Sequence, residues 1–181
     1  MERLLADVPS VASMVLSEKP LDKQLYICAC NSISEVANKI TPTSRCFGLL
    51  LAMDARQIDS RKISDLADKI LGAGLVYLCA WGPDCERVHD LFDERYLTRE
   101  LGPGPWIDQK ETSKWDDVVM TTWHDDESLE EALWFFVHSA VPTASYRQAC
   151  TDWVVAVLGN AEWEQEIRSK ITKVAFEPPP D

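Results

Sequence analysis

An α/β domain built around a mostly parallel four-stranded sheet with flanking helices is the fold class this sequence predicts. Three observations lead there. Short runs that read as buried strands occur at residues 24–31, 46–53, 75–81 and 118–123, a segment with apolar residues at helical spacing follows each, and glycine or proline punctuates several of the joins. Strand–helix alternation of this kind builds a parallel sheet with right-handed crossovers.

Residues 24–31, QLYICACN, read as the first strand, covered on both faces. Its helix starts at once: Ser32 and Glu35 have the spacing of a capping box, and Ile33, Val36, Ala37 and Ile40 share one face. Thr41-Pro42 stops it, because proline pushes the preceding residue out of helical angles. Residues 46–53, CFGLLLAM, form the second strand, followed by a helix carrying Ile63, Leu66, Ala67, Ile70 and Leu71 and closed by Gly72 and Gly74.

Residues 75–81, LVYLCAW, form the third strand. Gly82-Pro83-Asp84 turns into a helix whose inward face is Val88, Leu91, Phe92 and Tyr96. Residues 101–114 break the pattern with GPGP and a polar run, an exposed connection pinned by Trp106 and Trp115. Residues 118–123 form the fourth, buried strand, which runs into the acidic turn 124–127 and a helix capped by Ser128 and Glu131.

The apolar LWFFV of that helix needs cover on a second face. Two helical stripes supply it: Tyr146, Cys150, Trp153, Val154, Val157 and Leu158, then Trp163, Ile167 and Ile171. The expected strand order is 2-1-3-4, with 3-2-1-4 as the alternative. The architecture resembles Rossmann-like and flavodoxin-like folds, a likeness that transfers no residue and no activity.

At 181 residues and 46% hydrophobic, the chain has the material for one core. We expect a single domain over residues 1–176, in which 1–20 form peripheral helical turns, 143–174 form C-terminal helices on the last crossover helix, and 177–181 fray. The net charge of −12 argues against nucleic-acid phosphates and anionic membranes, and favours a basic protein partner. No basic start with a long apolar run marks a signal peptide, and no run reaches the ~18–20 apolar residues of a membrane span, so a cytoplasmic location is expected. The six cysteines show no CxxC spacing, and four lie in apolar runs.

Ligands of parallel sheets bind beyond the carboxyl ends of the strands. That edge gathers Asn31, Asp54, residues 84–89 and residues 124–127. The turn after the first strand, Cys30-Asn31-Ser32, has no glycine to let a pyrophosphate approach, and no Walker lysine motif exists, so no cofactor is expected.

Cys85 and His89 are one helical turn apart, and His124 could join them with Asp84 or Asp125 around zinc. The spacing arises often by chance, and no metal is expected. The same residues could serve a hydrolase or transferase, with Cys85 as nucleophile, His89 or His124 as base and Asp125 or Asp126 as orienter. Asp84 and Glu86 beside Cys85 oppose a thiolate, and an ordinary buried cysteine accounts for it as well.

Seven tryptophans remain to be placed, of which Trp81 and Trp123 end strands beside acidic turns. Aromatic anchors among carboxylates suit a surface that grips a basic protein. The binding set expected on this reading is Trp81, Asp84, Trp123, His124, Asp125, Asp126 and Glu127, in an inhibitor or immunity-type protein that neutralises a basic partner.

Overall fold

The computed structural model describes residues 1–9, 22–101 and 117–176. Its strands are β1 (Glu2–Pro9), β2 (Asp22–Cys30), β3 (Phe47–Ala52), β4 (Leu75–Trp81), β5 (Met120–His124) and β6 (Asp152–Leu158). Its helices are α1 (Ile33–Lys39), α2 (Ser60–Gly72), α3 (Cys85–Leu101), α4 (Leu129–His138) and α5 (Ala161–Phe176). The six strands form one mixed sheet in the order β1-β2-β6-β3-β4-β5. Among the described residues, only the β1–β2 pairing is antiparallel.

The α/β class and the mostly parallel sheet are as expected, but two strands and the order are not. The segment before residue 10 is strand β1 rather than helical turns. Residues 10–21, the pinned connection with Trp106 and Trp115, and the tail 177–181 lie outside the described residues.

The larger correction is β6, where a helical stripe was expected. Asp152–Leu158 reads DWVVAVL, and β-branched valines favour the pleated chain. The strand is buried almost throughout because it sits between β2 and β3, so both faces are covered and no alternation shows. The order therefore matches neither 2-1-3-4 nor 3-2-1-4, and residues 143–174 are not all helical.

The path along the sheet decides which face each helix covers. From β2 the chain steps to β3, β4 and β5 in one direction, then returns over β4 and β3 to β6. With crossovers of one hand, the two directions place helices on opposite faces. Accordingly α1, α2 and α3 cover one face, packing on Phe47, Leu49, Leu51, Leu78 and Val154. The other face, with Leu25, Leu50, Tyr77, Trp153 and Val155, lies under α4 and α5. Leu133, Phe136 and Val137 are fully buried there, as the apolar LWFFV run requires.

Helix ends follow their local chemistry. Ser128 and Glu131 form the expected capping box, with both hydrogen bonds made. Ser32 makes no side-chain cap; the Glu35 carboxylate instead accepts from the Asn31 N–H at 3.2 Å. Gly74 takes φ +102°, a conformation that costs a glycine little, and turns the chain from α2 into β4.

Candidate functional site

At the carboxyl edge of the sheet the connections from β4 and β5 diverge. After β4 the chain leaves toward α3 on one face; after β5 it leaves toward α4 on the other. Diverging connections of adjacent strands are where α/β sheets place ligands.

The β4 exit is a tight turn. Gly82 (φ +109°) and Asp84 (φ +66°) both take the left-handed region, which a short polar aspartate tolerates better than most residues. A Cβ at Gly82 would lie 2.6 Å from the Met53 carbonyl oxygen, so only glycine lets the two loops approach. The Asp84 carboxylate accepts from Arg87 Nε at 2.7 Å. The same guanidinium donates to the carbonyls of Ala55 and Ile58, tying the loop after β3 to the start of α3.

The β5 exit is braced from three sides. His124 is 5% exposed, and its Nδ1–H donates to the Glu127 carboxylate at 2.8 Å. Its Nε2 lies 3.1 Å from the Thr122 hydroxyl, while Phe135 covers the ring. Trp81 Nε1 donates to the Glu127 carbonyl at 2.9 Å, and the Ser128 capping box fixes the next residue. Asp125 and Asp126 therefore stand exposed at the tip of a turn whose flanks cannot move freely. Among the described residues neither is part of an ion pair.

Trp123 points to the opposite face from His124, as neighbours on a strand must. It is 44% exposed, and its ring lies 4.6 Å from that of His89 on α3. His89 is held in turn by Asp90 at 3.0 Å and faces Asp93 at 3.6 Å. A tryptophan backed by an imidazole and rimmed by carboxylates offers an apolar face and negative charge together.

The expected site residues thus separate into two groups. Asp84, Trp123, Asp125, Asp126 and Glu127 reach the surface, although Asp84 is neutralised by Arg87. Trp81 and His124 do not belong to the surface set. Trp81 packs edge-on against Trp163 at 4.9 Å, and both side chains serve as internal braces of the turn. The fourth strand is likewise not a buried one: β5 is the edge of the sheet among the described residues, with Met120 and Trp123 exposed.

Cys85, His89 and His124 do not converge. Cys85 and His89 lie under or on α3, whereas the His124 ring lies on the α4 face of the sheet. Cys85 is fully buried, and burial pushes its thiol above the ordinary cysteine range. Among the described residues, no group of three or more His, Cys, Asp or Glu side chains could hold a metal ion. Also among them, no helix is long and apolar enough to cross a membrane.

Sequence reasoning missed two buried charged residues. Lys23 is the second residue of β2, and its Nζ donates to the carbonyls of Phe136 and Ala140. Asp152 begins β6, and its carboxylate accepts from the Thr43 and Ser44 N–H groups. The sign for both was a single charge at the start of an apolar run.

No curated protein and no solved structure matches the chain. A family described as a domain of unknown function (DUF7684) matches residues 27–174, a span that contains the carboxyl ends of β4 and β5 and the turns that follow them.

Proposed function

The chain belongs to the DUF7684 family, whose description assigns no chemistry, and we propose from the geometry that it is a protein-binding domain whose β4–β5 edge docks a basic protein. One observation carries the reading: Asp125 and Asp126 are held out on a braced turn next to a tryptophan that is 44% exposed. Docking groups fixed before binding lose little entropy on complex formation. A lysine or arginine of the partner can lie on the Trp123 ring, where a cation is attracted to the aromatic face, and reach the carboxylates nearby. An inhibitor or immunity-type role that neutralises such a partner is the form we favour, in the cytoplasm. The test is to identify a basic partner by capture from the native host, then to compare wild type with Trp123→Ala and with Asp125→Asn/Asp126→Asn. Unchanged affinity in both variants would sink the reading.

A second reading rests on the row Thr122–His124–Glu127, joined at 3.1 and 2.8 Å. A hydroxyl, an imidazole and a carboxylate in line are the parts of a nucleophile, its base and the group that orients the base. In a hydrolase or transferase of this design, Thr122 replaces Cys85 and His89 has no part. Ester turnover by the wild type that vanishes in Thr122→Val and leaves partner binding intact would favour it.

A further inference from the structure

Cys28 and Cys30 lie two residues apart on β2, so the strand puts both side chains on the same face. Their sulfurs are 3.6 Å apart, and each residue is only 3% exposed, in the apolar layer beneath α1. The function proposed above uses neither.

A disulfide is not what this spacing suits. Two strand residues advance the chain by roughly 6.6 Å, near the upper limit of the Cα separations a disulfide spans. Closing the sulfurs to ~2.05 Å would pucker a strand that stays in register with β6 as far as Cys30. A metal–thiolate bond is ~2.3 Å, so a linear thiolate–metal–thiolate unit spans roughly 4.6 Å. The sulfurs reach that by moving ~1 Å apart through side-chain rotation, with the ladder untouched.

One cation lies close to this stretch of the strand: Lys39 donates to the carbonyl of Ala29, the residue between the two cysteines, at 3.0 Å, and also pairs with Glu35 at 2.8 Å.

We propose that Cys28 and Cys30 form a two-coordinate thiolate site for a soft monovalent cation, copper(I). Thiolate ligands select this ion among the first-row metals. Zinc needs four ligands, and the pair offers two. Binding converts two thiols and one Cu⁺ into a bis-thiolate complex and releases two protons, with no change of oxidation state. The complex carries one net negative charge.

The test is anaerobic titration of the reduced full-length protein with copper(I) against a chromophoric chelator, with the sulfur neighbours counted by X-ray absorption. The expected result is one copper per chain with two sulfur neighbours. Cys28→Ser and Cys30→Ser should each weaken binding at least roughly 100-fold, since even loss of an outer-shell partner costs 10–100-fold. Circular dichroism and thermal unfolding should show both variants folded. Cys46→Ser, in the other layer, should bind as the wild type does. Copper that survives in the Cys28→Ser/Cys30→Ser double variant, or that is lost in Cys46→Ser, overturns the assignment. So does wild-type protein that competes no better than the double variant.

Discussion

The Nζ of Lys23 lies 3.6 Å from the centroid of the Trp153 ring, with both side chains withdrawn from water. It donates at 2.7 Å to the carbonyls of Phe136 and Ala140, and so closes the C-terminal end of α4 from the start of β2. Burial lowers its pKa to about 7, against the opposing influence of the Cys79 and Cys150 thiols. Across the window from about 7 to 10.5 the unfolded chain holds this proton and the folded chain has released it. Stability from this group therefore rises with pH through that window and is lowest below it. The difference in unfolding free energy between wild type and Lys23→Met should shift by on the order of 2 kcal/mol between about pH 7 and pH 9. Denaturant unfolding at the two pH values measures it, and parallel behaviour would refute the buried neutral lysine.

Gly48 makes room for the same tryptophan. A Cβ there would overlap the Trp153 ring, which is held by Lys23 on one side and by Phe136, 5.1 Å away edge-on, on another. Gly48→Ala should cost ~1–3 kcal/mol, as overpacking a rigid core does. A thermal melt of the variant unchanged from the wild type would mean the ring can shift.

At the β4–β5 edge the two kinds of contact should act on different rates. Asn at positions 125 and 126 should slow association with a basic partner, as should added salt, because exposed charges steer encounter and are screened beyond ~8 Å. Trp123→Ala should speed dissociation instead, as loss of a central anchor does. None of these changes should alter stability by more than about 0.5 kcal/mol, since the three side chains are exposed. Surface plasmon resonance with a salt series separates the two effects.

Removing everything after Pro142 takes away β6 and α5, and with them the pairing partners of both β2 and β3. The fragment should fail to unfold cooperatively and should expose apolar surface to a hydrophobic dye. A cooperative transition in the fragment would contradict the central place of β6.

Much of this was readable in the chain because local signals and tertiary placement agreed. The helices at residues 60–72 and 129–138 have apolar stripes and real caps, and they form where those stripes lie in the sequence. The strand at residues 152–158 was not readable, since a run buried on both faces shows no period and its flanking Tyr146 and Cys150 completed a false helical stripe. At the site, the acidic turn and Trp123 were visible as exposed chemistry at a strand end. What the sequence could not show was the side of the sheet. One residue's difference sends His124 inward and Trp123 outward, and that parity separated residues that spacing alone had grouped.

The place of β6 has a consequence for how the protein is made. Synthesis delivers β2 and β3 early, yet Gln24 and Phe47 both await Asp152 as their neighbour. Until β6 leaves the ribosome, the sheet has a gap at its middle with an unpaired strand edge on each side. The nascent protein is thus most exposed to mispairing before β6 emerges, and a chaperone that shields strand edges would act on it then.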